Sequence, residues 1–215
     1  IKNVNGLYFF DFDIGFVVGD RGLISRTENQ GLNWEEVSSG YDDVNLKDIA
    51  FFNENDGLII GEGGMVLISS DGGFNWQKVS IGTNVDLNAL SVLDENSAIA
   101  VSQSSAVFKT VDKGLNWEQI QTGFDMPLTD IEFLDESVGF ITGENGLIIR
   151  TFDAGENWER LETATFQNFT GISFGDLNVG YAVGENGLLF QYTCQVPDVI
   201  PTIFGEDNIC ISQQI

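Results

Sequence analysis

The sequence predicts an all-β chain, a β-propeller of four-stranded antiparallel blades with five repeats visible. Three observations predict it. The four Trp residues, Trp34, Trp76, Trp117 and Trp158, are spaced 42, 41 and 41 residues apart. A turn marker recurs ahead of each of them and once more beyond: Gly19-Asp-Arg-Gly22, Gly61-Glu-Gly-Gly64, Ser102-Gln-Ser-Ser105, Gly143-Glu-Asn-Gly146 and Gly184-Glu-Asn-Gly187. Between these markers lie short apolar or β-branched runs, with no sustained helical period. A unit of about forty residues holding four strands is the size of one propeller blade, which packs both faces on its neighbours and is not stable alone.

The second unit shows the order of elements. Ile49-Ala-Phe-Phe52 reads as the first strand and Asn53-Glu-Asn-Asp56 as a turn cluster. Gly57-Leu-Ile-Ile60, the turn at Gly61 to Gly64 and Met65-Val-Leu-Ile68 form a hairpin. The Asp71-Gly-Gly73 corner then leads into Asn75-Trp-Gln-Lys-Val79. Applied along the chain, this pattern gives repeats at about 1–39, 40–82, 83–122, 123–163 and 164–196. The fifth has the marker but not the Trp corner. Its outer strand is expected either from residues 1–5 or from Val199 to Phe204, and six or seven blades stay open if the chain is a fragment.

Each corner carries a hydroxyl, a short polar acceptor, a glycine and an indole at fixed offsets. The four sets are Thr27, Asn29, Gly31 and Trp34; Ser69, Asp71, Gly73 and Trp76; Thr110, Asp112, Gly114 and Trp117; and Thr151, Asp153, Gly155 and Trp158. A short carboxylate accepts hydrogen bonds from the amides of its own turn, and the hydroxyl two residues earlier closes the same corner. Glycine permits positive φ, and the indole buries a large flat surface. Asn29 replaces Asp in the first set and still accepts such bonds. The role expected of all sixteen residues is structural.

The Ser/Thr-x-Asp-x-Gly-x-x-Trp pattern resembles the Asp-box, or BNR repeat. Its continuous phrasing with the preceding turn marker looks most like the Ycf48-like group of propellers, which includes photosystem II assembly factors and many secreted bacterial proteins. The resemblance to sialidases and sortilin-type receptors is weaker. In such families the box lies away from the ligand face. The assembly factors carry an arginine-rich patch. Here the recurring basic position is Arg26, Lys109 and Arg150, with Ile68 at the second unit. These cations are candidates for an arc holding an acidic ligand, or else for a solvated strand face.

Composition narrows the chemistry. With 33 acidic against 9 basic residues, the formal net charge is -24, which disfavours nucleic acid and anionic membranes. The chain has no histidine, so His-dependent catalytic triads and His-ligated metals are excluded, and two cysteines cannot build a structural zinc site. A sialidase-like site needs three converging arginines, but Arg21, Arg26, Arg150 and Arg160 occupy scattered repeat positions. The expectation is a protein that is not an enzyme, with no catalytic residue assigned and no cofactor. Calcium suits the acidity, yet no metal site can be assigned. No apolar run is long enough to span a membrane.

The turn markers put an acid at one repeated position, Asp20, Glu62, Glu144 and Glu185, with Gln103 in the third unit. Such a ring attracts a cation or a basic partner, or it simply reflects the polar residues that turns favour. Beyond residue 196 the expectation is a linker and the opening of an Ig-like or PKD-like module over 197–215. Cys194 and Cys210 are candidates for an intrachain disulfide; a later cysteine is the alternative for Cys210.

The functional expectation is a non-enzymatic binding or scaffold propeller of an exported bacterial protein. It is expected at the cell surface or beyond in a Gram-negative-type bacterium, with the periplasm as the alternative. The expected partner is a protein, in an adhesin or a secretion complex. One alternative is an assembly factor for a membrane complex, as the resemblance implies. A second is a carbohydrate-binding or glycoside-hydrolysing propeller.

Overall fold

A computed structural model of the chain describes residues 2–176 and 178–195, and the strand backbone of 209–214. Five four-stranded antiparallel sheets follow one another along the chain. The first contains β1 (Val4–Phe9), β2 (Gly15–Gly19), β3 (Leu23–Thr27) and β4 (Glu35–Glu36). The second contains β5 (Leu46–Phe51), β6 (Gly57–Gly61), β7 (Met65–Ser69) and β8 (Gln77–Val79). The third contains β9 (Leu87–Val92), β10 (Ala98–Ser102), β11 (Val107–Thr110) and β12 (Glu118–Ile120). The fourth contains β13 (Leu128–Phe133), β14 (Gly139–Gly143), β15 (Ile148–Thr151) and β16 (Glu159–Arg160). The fifth contains β17 (Phe169–Phe174), β18 (Val179–Gly184), β19 (Leu189–Gln195) and β20 (Ile209–Gln214). These are the blades of a β-propeller, in the predicted number.

The first hairpin of every blade turns on the same side-chain acceptor. Asp11, Asn53, Asp94, Asp135 and Asp176 each take backbone N–H groups two and three residues ahead, at 2.7–3.0 Å. This local bond fixes the strand register without help from tertiary contacts.

The core lies between sheets. Each first strand packs on the first strand of the next sheet: β1 on β5, β5 on β9, β9 on β13 and β13 on β17. Phe16, Val18 and Ile24 of the first sheet meet Ile49, Phe51 and Ile59 of the second, and three similar clusters fill the later interfaces. No comparable contact joins β17 to β1 among the described residues.

The outward faces of the end blades show this directly. Val4, Leu7 and Phe9 on β1 are 55%, 61% and 41% exposed, while Leu46, Ile49 and Phe51 at the same positions of β5 are 0%, 3% and 5%. Tyr181 and Val183 of β18 are 42% and 47% exposed, against 0% for Leu58 and Ile60 of β6.

The fifth blade departs from the sequence expectation. Residues 1–5 do not supply its outer strand, because Val4 and Asn5 begin the inner strand β1. The tail does supply it, but through 209–214, which pair with β19. That stretch is therefore part of the fifth sheet, and the boundary drawn at residue 196 moves. The segment from Val199 to Phe204 lies outside the described residues.

Candidate binding face

The corner motifs and the turn markers sit at opposite ends of the blades. At each corner the hydroxyl of Thr27, Ser69, Thr110 or Thr151 donates to the Asn29 or Asp side-chain oxygen at 2.8–3.0 Å. The same hydroxyl accepts the N–H of Gly31, Gly73, Gly114 or Gly155 at 3.0 Å. Three of the indoles, Trp76, Trp117 and Trp158, donate to the carbonyl of that glycine at 3.0 Å. Trp34 has no such bond and is 37% exposed.

Corner glycine also faces the preceding blade. A Cβ on Gly73 would come within 2.5 Å of the Phe16 ring, and one on Gly155 within 2.8 Å of Ile99. The corner thus holds its own turn and docks onto its neighbour. Around it, Phe12, Leu32, Phe74, Val111, Leu115 and Phe152 are exposed, giving this end an apolar rim.

The basic positions do not form an open arc. The Arg26, Lys109 and Arg150 side chains are only 11%, 16% and 15% exposed. Each reaches the next blade. The Arg26 guanidinium stacks over Phe74 at 4.4 Å while pairing with Glu28. Lys109 Nζ donates to the Ala154 carbonyl at 2.8 Å and to Glu156 at 3.2 Å. Arg150 donates to Tyr192 Oη at 3.1 Å and pairs with Glu159. Apolar Ile68, the fourth member, touches the space beside Gly114 of the next corner. Cation or not, this position fastens blade to blade.

The opposite end is built from the turn markers and the loops entering each blade. Asp20, Glu62, Gln103, Glu144 and Glu185 all donate their backbone N–H to the entry loop of their own blade, at 3.0–3.2 Å. Most of these turns pass through two residues of positive φ, as tight hairpins require: Arg21 and Gly22, Gly63 and Gly64, Asn145 and Gly146, Asn186 and Gly187.

Asn45 shows how the face is held. Its carbonyl accepts the Glu62 N–H, its Oδ1 accepts the Arg21 N–H of the previous blade at 3.1 Å, and its Nδ2 donates to Glu62 at 3.0 Å. Asn168 does the same between Asn145 and Glu185.

The acids predicted as a ring are therefore brought together at one end, each beside an amide donor. Asp20 accepts from Asn3 and Asn5 at 2.7 and 3.0 Å, and Glu62 pairs with Lys47 at 2.8 Å. The Asn5 bond holds the Asp20 carboxyl below its ordinary range, and the Lys47 ammonium does so for Glu62. Asp42, Asp43, Asp86 and Asp125 in the entry loops are exposed beside them. Among the described residues, these eight acids against Arg21 and Lys47 leave this face with six excess negative charges. Among the described residues no group of three His, Cys, Asp or Glu is placed to hold a metal ion.

Sequence reasoning missed a second set of acids, deeper in the wall. Asp48 Oδ2 accepts the Leu90 N–H of the next blade at 2.9 Å, and Asp130 Oδ2 accepts that of Ile172 at 2.8 Å. Burial pushes Asp48 up to about 6, raises Asp130, and pushes Glu132 up to about 7. The intervening interfaces use the opposite polarity: Asn5 and Asn88 donate Nδ2 to the Leu46 and Leu128 carbonyls at 2.8 and 2.7 Å. The available signal was an Asp at one repeat position in every second unit, directly before the buried Ile49 or Ile131 of the first strand.

The family model for the photosynthesis system II assembly factor YCF48 matches residues 2–123 and again 113–193. The chain belongs to the YCF48 family. Among solved structures, YCF48 from Cyanidioschyzon merolae is similar over 99% of this chain and 71% of that one, with a TM-score of 0.73 and 18% identity. A YCF48 bound to D1 peptide is similar over 87% of this chain and 92% of that one, with a TM-score of 0.52 and 16% identity. An ancestral GH74 enzyme shares the blade architecture with a TM-score of 0.78 and 17% identity, but this chain spans only 32% of it. At these identities the solved structures speak for the fold alone. No curated protein matches.

Proposed function

We propose that this chain is a non-enzymatic assembly factor that holds a protein segment belonging to a larger membrane complex. The observation that carries the reading is the family match running almost without interruption from residue 2 to residue 193. A YCF48 solved with a D1 peptide gives the kind of ligand, a peptide segment. The six excess negative charges on the turn-marker face select for a segment bearing Lys or Arg, and they steer its approach. The adhesin and secretion readings find no support in the comparisons. A glycoside hydrolase reading rests on shared architecture with a GH74 enzyme, of which this chain covers 32%.

The test is fluorescence anisotropy with a labelled D1 peptide and a scrambled control, at low and high salt. Saturable binding that weakens with salt, and that drops at least about tenfold in an Asp42→Lys, Asp43→Lys variant, is expected. Binding indifferent to salt and to that variant would move the site elsewhere. No binding above the scrambled control would remove this partner class. Release of sugar from a glucan by the purified chain would overturn the non-enzymatic part.

A further inference from the structure

In the first four blades the corner motif fastens the fourth strand to the third. The fifth blade has no such corner. Tyr192-Thr-Cys-Gln continues β19 to Gln195, and β20 begins only at Ile209. A longer connection costs more closure entropy than a tight corner.

The register of the β19–β20 pair answers this. It runs unbroken from Phe190 opposite Gln214 to Gln195 opposite Ile209, and it sets Cys194 opposite Cys210. These are the two cysteines of the chain. A slip by one residue in either direction would separate them. Directly opposed positions of an antiparallel pair lie about 4.5–5.5 Å apart from Cα to Cα, inside the roughly 4.4–6.8 Å that a disulfide spans.

We infer that Cys194 and Cys210 form a cross-strand disulfide that clasps β20 to the fifth blade, the covalent counterpart of the corner lock in the other four. The bond forms by thiol–disulfide exchange with a small oxidised disulfide such as oxidised glutathione. One thiolate attacks it and expels one glutathione thiolate. The second cysteine thiolate then displaces the other, so two protein thiols are oxidised and one external disulfide is reduced to two thiols. The same exchange run backwards removes that covalent link from β20. Clasping is therefore set by the redox state of the surroundings.

The test equilibrates the whole chain with oxidised glutathione, denatures it and alkylates it with N-ethylmaleimide. No label is expected before reduction and two labels after it, one on each cysteine. Proteolysis of the unreduced sample should yield one peptide pair joining Cys194 to Cys210. Two labels without reduction, stable glutathione adducts, or a disulfide-linked dimer on a non-reducing gel would overturn the bond.

Hydrogen exchange reads the clasp itself. On reduction, and equally in Cys194→Ser, the amides of 209–214 should exchange at least about tenfold faster, while β6, β10 and β14 stay protected. Exchange over 209–214 that ignores the redox state would overturn the clasp.

Discussion

Asp48 reaches out of its own sheet and accepts the backbone N–H of Leu90 in the next, 2.9 Å away. The bond ties two blades at their innermost strands and leaves a carboxylate where protein surrounds it. Asp130 repeats the arrangement on Ile172 two blades later, at 2.8 Å. The cost of burying these charges appears in their raised pKa values, and it sets how stability depends on pH.

Asp48, at about 6, and Glu132, at about 7, bind protons more tightly folded than unfolded, and burial raises Asp130 in the same direction. Between about pH 4 and pH 7 the folded chain therefore holds more protons, and stability falls as pH rises. Asp56, Asp71 and Asp153 behave oppositely. Their bonds to Lys113, Asn75 and Asn157 lower their pKa, so their contribution is lost as pH drops below about 4. Thermal melts across pH should peak at about pH 4, and Asp48→Asn should flatten the limb between about pH 4 and 6. A melting temperature that climbs steadily from pH 5 to 8 would contradict this account.

Trp76 lies edge-on to Phe51 at 6.0 Å and bonds to the Gly73 carbonyl, whereas Trp34 lies edge-on to Phe9 and makes no indole hydrogen bond among the described residues. Trp76→Ala should cost about 3–5 kcal/mol, and Trp34→Ala less than half of that. Urea titrations of both variants check the difference. Equal losses would mean that the corner bond and the neighbouring blade contribute nothing.

Gly63 and Gly64 share positive φ, at 64° and 68°, but not surroundings. A Cβ on Gly64 would stand 2.1 Å from the Thr83 carbonyl oxygen, while one on Gly63 meets nothing within 4 Å. Gly63→Ala should cost about 1 kcal/mol from φ strain alone. Gly64→Ala adds displacement of the next blade's entry loop, so its cost should exceed about 3 kcal/mol. Paired melts of the two variants give the answer, and similar values would rule out that close approach.

Asn29 has a single side-chain oxygen. Its three counterparts use a second one to accept Nδ2 of Asn75, Asn116 or Asn157 at 2.6–2.8 Å. Asn29→Asp restores that acceptor for Asn33 and should stabilise the chain by about 0.5–1 kcal/mol above pH 5. The gain should shrink as pH falls below about 4, as the new carboxylate takes up its proton. A variant less stable than the parent at pH 7 would show that general charge repulsion outweighs the local bond.

The sequence by itself determined the blades and the corner and turn chemistry. Those features rest on partners two to four residues apart, as between Ser69, Asp71 and Gly73, so the residue types at fixed offsets carry the whole bond. Only the tertiary structure decided which side chains cross between sheets. Arg26 and Arg150 look like free surface cations in the chain, and Asp48 like one more acid among 33. Their partners lie about a blade away, at Phe74, Tyr192 and Leu90. Such pairings depend on how one sheet is rotated onto the next, and no local pattern encodes that rotation. The outer strand of the fifth blade was undecided for the same reason: its edge could accept any strand of suitable register, and the fold gave it 209–214.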